Sequence, residues 1–455
     1  MGAPSVNLKL IIEKVRSSID RAALAHGIQF YIPTLVTTLA SVALFALLVG
    51  LGEADLNTAE ALIMSSVILS LLSSASMQFA VYRTVDETEV SETPTLKNGF
   101  IGKVVLLASI FTAIISAAIA GLAHIFLSNA FSLSPMESLS FLILTVLYSV
   151  TWVLLAAVWA TGHHRHPAIV FSLSYFAVFA LGYSLSSLGA EFVVWGYVGG
   201  IGLLFISLAV AAVRLFAGAK SGKPWGSVVS TFFHLVTRSA WGMLFQTLFV
   251  VALFLDKIIV WTAQGSAAGT GLQVIGTYTT GSFLGFLPTV SLVASAYFTE
   301  RIKTASKGMY GGTFKDIKNR VSHYKRLYRS GITTMMIMGL VVLAGVILLS
   351  AYVIDDPEVV TVATTIGASI LLFQIIVSNS AVLSVFNKNY LSALAMLAVC
   401  CGEGLSAFFV SYDVWYAALG FLAGSLLGLL ISHISTVNVL SKFEYNAFHA
   451  FQTHT

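Results

Sequence analysis

Arg214-Leu215-Phe216-Ala217-Gly218-Ala219-Lys220-Ser221-Gly222-Lys223-Pro224, running on to Arg238, is where this chain divides. The stretch 214–238 carries four basic residues, two glycines of its first half and a proline, and it separates six long apolar runs from six more. A bilayer span takes roughly 20 apolar residues. Working outward from the divide, the runs before it predict spans at 29–50, 61–82, 104–128, 139–161, 167–188 and 192–213. Those after it predict spans at 240–262, 276–299, 331–354, 360–386, 390–410 and 414–437. The runs are too long for barrel strands, and irregular backbone cannot face lipid, so the spans are helices.

Composition agrees: 57% of the 455 residues are hydrophobic and 10% charged, with a mean hydropathy of +0.89. An ordinary soluble domain is about 25% charged. Twenty-three of the 24 lysines and arginines fall in alternate loops. The intervening loops hold Glu53, Asp55, Glu60, Glu137, Glu191, Asp355, Asp356, Glu358 and Asp413. The positive-inside rule then predicts cytoplasmic termini. The net charge of +4 is a by-product of that orientation and no sign of nucleic-acid binding.

The predicted architecture is an all-α polytopic membrane protein whose twelve transmembrane helices form two six-helix bundles around a central cavity. Its parts are a cytoplasmic amphipathic segment at 1–28, a first bundle at 29–213, a cytoplasmic linker at 214–238, a second bundle at 239–441 and a cytoplasmic tail at 442–455. The first run follows Lys9, Lys14, Arg16 and Arg21 and reads as a retained signal-anchor. A weak repeat links the halves: Gly196-Tyr197-Val198-Gly199-Gly200 in the sixth span and Gly420-Phe421-Leu422-Ala423-Gly424 in the twelfth. Small residues at this spacing let helices approach closely. Six helices per half leave both halves in the same orientation, so the pseudo-repeat is parallel.

The sequence offers little for catalysis. The longest loop, about 300–330, is too short for a catalytic domain, and there is no phosphate-cradling GxxxxGK[ST], HExxH, paired CxxC or GxSxG. Cys400 and Cys401 are neighbours in an apolar run and read as small core residues. His163, His164 and His166 sit in a short loop and read as a solvated turn. The expectation is no enzyme, no cofactor and no metal.

Transport candidates come from charge, breaks and polarity inside spans. The lone lysine outside the basic loops is Lys257, in Leu255-Asp256-Lys257-Ile258-Ile259-Val260-Trp261. Asp256 is about 22 Å up a core roughly 30 Å thick, by helical rise. Neighbours on a helix diverge by about 100°, which predicts that the two side chains do not meet, and lysine can snorkel to the interface. Glu403, between Gly402 and Gly404, is expected at nearly the same depth and to share a polar network with Asp256 or Lys257. Gly281, Gly285 and Pro288 break the eighth span, as Gly27 and Pro33 do near the first.

Hydroxyls and amides concentrate in the second span (Ser65, Ser66, Ser73, Ser74, Ser76, Gln78) and the tenth (Gln374, Ser378, Asn379, Ser380). Aromatic residues occur near the same depths, among them Phe79, Tyr82, Tyr278, Phe283, Phe286 and Tyr297. A sugar polymer suits such a lining, and so does ordinary helix–helix hydrogen bonding. At 313–329, Phe314, Ile317, Val321, Tyr324 and Tyr328 alternate with Lys315, Lys318, Arg320, Lys325, Arg326 and Arg329. That pattern predicts an amphipathic basic helix lying on anionic lipid or docking a cytoplasmic partner.

Residues 249–330 resemble the PelG-type exopolysaccharide exporters of the multidrug/oligosaccharidyl-lipid/polysaccharide (MOP) superfamily. The resemblance rests on Leu255–Trp261, on Phe283-Leu284-Gly285-Phe286-Leu287-Pro288, and on Tyr297-Phe298-Thr299-Glu300 leading into Gly312-Thr313-Phe314-Lys315-Asp316-Ile317. It extends to the closing Phe443-Glu444-Tyr445-Asn446-Ala447-Phe448. Gly27-Ile28-Gln29-Phe30 departs from the Gly-Ile-Gly-Phe-Glu-Leu opening of that family. The resemblance implies an inner-membrane exporter of a polysaccharide made by a cytoplasmic glycosyltransferase, with that synthase, small membrane subunits and membrane lipids as partners. A lipid-linked oligosaccharide flippase, a cation-coupled multidrug antiporter and a non-transporting scaffold for a synthase are the alternative readings.

Overall fold

The computed structural model describes residues 53–91, 94–161, 163, 165–216, 224–268, 276–288, 314–354, 356–443 and 445–446. The predicted first span, the second half of the predicted eighth span and Tyr297 lie outside these residues. The described chain is helical: α1 Glu53–Ser91, α2 Pro94–Phe131, α3 Pro135–Ala160, α4 Arg165–Leu185, α5 Ala190–Phe216 and α6 Trp225–Arg238. There follow α7 Ala240–Ala268, α8 Gly276–Phe286, α9 Phe314–Leu349, α10 Pro357–Val385, α11 Asn389–Ser406 and α12 Trp415–Ser441. Among the described residues, nine helices are long and apolar enough to cross a membrane. With α11, only 18 residues long, and α8, which stops at Phe286, they match the predicted spans from the second to the twelfth.

Charge and helix polarity reinforce each other. Several helices that start on the acidic side are capped there by the residues that make it acidic. Ser134 and Glu137 form a reciprocal capping box on α3, the Asp356 carboxylate accepts from the Glu358 and Val359 amides at the start of α10, and Glu191 lies in the first turn of α5. At the opposite ends stand Arg214 in the last turn of α5, Lys388 after α10 and Lys442 after α12. Carboxylates at N-termini and cations at C-termini both lower the energy of the aligned peptide dipoles.

The two halves repeat one packing plan. α1 packs on α3, α3 on α5 and α4 on α5; in the second half α8 packs on α10, α10 on α12 and α11 on α12. The glycine motifs fall at the same place in each. A Cβ on Gly196 would strike the Gly182 backbone of α4, and one on Gly420 would strike Ser406 of α11. Gly200 is similarly closed by Val178, and Gly424 by Val399. Bare glycine faces permit this approach, and lipid supplies little hydrophobic drive between helices to replace it.

Two cores follow. One joins α1 to α6, the other α7, α8 and α10 to α12, and α1 belongs to both. Ala59, Leu62 and Ile63 face the first core, while Ala61, Met64 and Ile68 face the second. Further along the same stripe of α1, the Ser76 hydroxyl meets Thr247 at 3.2 Å and the Phe79 ring fills the space a side chain on Gly242 would need. Arg83 Nη2 then donates to Asn387 Oδ1 at 3.5 Å. The seam between the halves is therefore apolar toward the acidic side and polar toward the basic side.

Two segments differ from the sequence-based expectation. The linker includes a packed helix, α6, which buries Val228, Phe232 and Leu235 and places Phe232 and Phe233 against Phe111 of α2. The basic helix expected to lie on the membrane surface is instead the first part of α9, which runs unbroken from Phe314 to Leu349. Two residues of its apolar stripe pack on protein: Tyr324 and Tyr328 are buried with Val382, Leu383, Phe386, Val439, Leu440 and Phe443.

Candidate functional site

The charged centre of the second half is built by α7 and α8. Lys257 Nζ donates to Asp256 Oδ1 at 3.2 Å and Oδ2 at 3.4 Å, so the two adjacent side chains do meet. The angular argument fixes only where each Cβ points. The four-carbon lysine stem curls back far enough to reach its neighbour, and also lies 3.5 Å from the Leu253 carbonyl one turn below. Lys257 is 0% exposed and does not snorkel. Its ammonium lies 4.2 Å from the centre of the Phe286 ring and 5.6 Å from that of Phe254, so the aromatic faces supply part of what water would.

Asp256 is held from α8. The Tyr278 hydroxyl donates to Asp256 Oδ2 at 2.9 Å and Ser282 Oγ to the same oxygen at 3.4 Å. Tyr278 and Ser282 are four residues apart, one turn on one face of α8. That spacing is the signal by which Ser282, not singled out in the sequence, could have been found. The opposite requirement, close approach to α10, falls on Gly281 and Gly285, where a Cβ would collide with Val362 and Ile366. The helix ends before Pro288, which has no amide hydrogen, and the Pro288 carbonyl accepts a 2.7 Å hydrogen bond from Gln374 Nε2 of α10. Gln374, read from sequence only as part of a polar run, thus bonds the backbone just past the end of α8.

Glu403, in α11, is 0% exposed, and neither carboxylate oxygen has a hydrogen-bond partner among the described residues. It lies within Coulombic reach of both Asp256 and Lys257. Asp256 hydrogen-bonds Tyr278 and Ser282, whereas Glu403 makes no hydrogen bond among the described residues.

The remaining candidates disperse. Asn379 ties three helices together, accepting from the Tyr328 hydroxyl of α9 and donating to Ser432 of α12. Gln78 Nε2 donates to Ser74, one turn below on α1. Tyr82 is 37% exposed near the basic end of α1. The second-span hydroxyls are engaged inside the first half: Thr145 bonds Ser66, Trp152 bonds Ser70, and Ser149 bonds both Ser73 and Ser116. These bonds brace helices within the first half, whereas Ser76 reaches Thr247 of α7 across the seam. Lys315, Lys318 and Arg320 lie in the first two turns of α9; Lys325 is half-buried, and Arg326 and Arg329 are exposed.

Solved structures share this arrangement. The chain is similar to a multidrug resistance MATE family transporter of the MOP superfamily in its outward-facing conformation, with a TM-score of 0.66 at 14% identity, covering 93% of this chain and 96% of that one. It resembles the Vibrio cholerae MATE transporter VcmN with a TM-score of 0.66 at 14% identity, covering 96% and 99%. A MOP superfamily transporter from Pyrococcus furiosus gives 0.64 at 14% identity, covering 92% and 96%. At such identities the likeness establishes the fold of two six-helix bundles. No curated protein sequence matches the chain. The family of PelG exopolysaccharide exporters (EPS-E) matches residues 7–448, and the chain belongs to it: a multi-pass membrane transporter of polysaccharide on the MOP fold.

Proposed function

We propose that the protein sits in the inner membrane with both termini cytoplasmic and exports a polysaccharide made by a cytoplasmic glycosyltransferase, which passes between the two bundles. The observation that carries this reading over a lipid-linked oligosaccharide flippase is the state of Lys257. A pyrophosphate headgroup crossing the membrane calls for cations free to meet it. The one lysine at membrane depth is enclosed by Asp256 and two phenyl rings instead. A neutral or weakly charged polymer needs no such group. The seam favours passage too, because its basic half includes polar contacts at Ser76 and Arg83, which exchange readily for contacts with water.

Coupling to a cation gradient is a second element of the proposal, favoured by Glu403. A buried carboxylate without a hydrogen-bond partner is costly at this depth, and a proton or cation arriving there would relieve it.

Deletion of the chain in a producing cell, followed by complementation, tests the reading. Polymer should accumulate in the cytoplasm without the chain and return to the cell surface with it. Unchanged surface polymer in the deletion strain would refute export. Loss of a lipid-linked precursor on the periplasmic face, with polymer synthesis otherwise intact, would favour the flippase.

A further inference from the structure

We propose that the first four turns of α9 are a preset docking post for an acidic protein surface on the basic side of the membrane. This builds on the reading that the transporter works with a cytoplasmic partner, but it rests on separate observations. The first is continuity. α9 is a single helix of 36 residues, about 54 Å long at 1.5 Å per residue. Its apolar run begins near Gly331, so the 17 residues from Phe314 to Ser330 extend about 25 Å beyond the hydrocarbon core. The headgroup layer on each side is only about 5–8 Å thick. Even at a tilt of about 40°, Lys315 and Lys318 stand well past it, and about 8 Å of screening length separates them further from lipid charge. A helix lying flat would put every cation at the headgroups; this one carries positions 315, 318 and 320 beyond them.

The second observation is patterning. Positions 315, 318, 322, 325 and 329 recur at i, i+3, i+7, i+10 and i+14, which places them on one helical face, and four of the five are basic. Arg326 borders that face and is exposed, as is Arg329. Between Phe314 and Ser330 there are six lysines and arginines against one carboxylate, Asp316.

The third is fixation. On the other face Tyr324 packs edge-on against Phe386 and Phe443, with ring centres 6.1 and 5.2 Å away, and the Tyr328 hydroxyl donates to buried Asn379. The ends of α10 and α12 therefore hold the post in one rotation. A face held in place before the encounter loses little conformational freedom on binding, and its charge raises the association rate with a complementary partner.

The test uses the full chain in nanodiscs of zwitterionic phosphatidylcholine, with poly-L-glutamate as the probe. Wild type should bind it in a salt-sensitive way. The triple variant Lys315→Glu, Lys318→Glu, Lys325→Glu should weaken binding at least tenfold, and the same residues changed to Gln should weaken it less. The pair Lys103→Glu, Arg238→Glu, in α2 and at the end of α6, should leave it unchanged. Equal affinity for wild type and triple variant would overturn the proposal. So would loss, in the triple variant alone, of preference for discs containing anionic phosphatidylglycerol without loss of poly-L-glutamate binding, since that marks lipid as the occupant. Export plays no part in this readout, so a failed export assay leaves it intact.

Discussion

The two halves share a packing plan and differ in what holds their centres. In the first half the centre is a ladder of neutral hydroxyls, Ser66–Thr145, Ser70–Trp152 and Ser73–Ser149–Ser116. In the second it is an ion pair, a tyrosine, a serine and a lone carboxylate. The glycine register that matches Gly196 to Gly420 also sets Phe179 opposite Glu403. Phe179 stacks on Tyr183, whereas Glu403 is buried with no hydrogen-bond partner among the described residues. Packing alone is thus satisfied by an apolar residue at this place in the fold. The charge in the second half is an addition, and it is where a transport role is to be sought.

Several changes would break or sharpen that contrast. The largest effect is expected from Lys257→Met, which leaves Asp256 buried and unpaired. Removing one partner of a buried pair costs about 3–5 kcal/mol. The double variant Asp256→Asn, Lys257→Met should regain most of it, since Tyr278 and Ser282 can bond an amide. Denaturation in detergent would measure both, and equal loss in single and double variants would show that the pair does not act as a unit. Next in size, Gln374→Ala removes a buried hydrogen bond to the Pro288 carbonyl, at a cost of about 1–3 kcal/mol. A melting temperature equal to wild type would mean another group caps that oxygen.

Smaller effects belong to the first half. Ser149→Ala removes the centre of the hydroxyl ladder, yet interhelical hydrogen bonds in membranes average only about 0.6 kcal/mol. A modest drop in thermal stability with normal polysaccharide secretion is expected; loss of secretion at normal protein level would move function into the first half. The smallest is Arg83→Ala. Its long contact to Asn387 should contribute under about 1 kcal/mol to stability. Spin labels placed at 83 and 387 should report one short distance in resting membranes and a longer one during export, if that end of the seam opens.

Much of the fold was legible because the membrane simplifies the code. Apolar runs set the spans, loop charges set the sides, and glycine spacing exposed the repeat. What escaped has identifiable reasons. Gly218, Gly222 and Pro224 marked 214–238 as a linker and drew attention from Val228, Phe232 and Leu235, whose spacing announces α6. The basic segment of α9 has the pattern of a surface helix. No residue near Gly331 signals whether it bends at the membrane, and the docking of Tyr324 and Tyr328 decides it. At the site, Asp256, Lys257 and Glu403 stood out as charges in apolar runs. The direct Asp256–Lys257 contact did not, because helical spacing describes Cβ directions and says nothing of a flexible stem.

That contact also changes which substitution is informative. Asp256→Asn strands Lys257, so any loss of export could follow from lost stability. Glu403→Gln keeps the shape, disturbs no hydrogen bond among the described residues and removes one ionisable group. The direct measurement is therefore surface polysaccharide in cells carrying Glu403→Gln, at matched protein level and unchanged melting temperature. A several-fold loss of secretion is predicted. Wild-type secretion would contradict a transport role for the charged centre and leave it a packing brace.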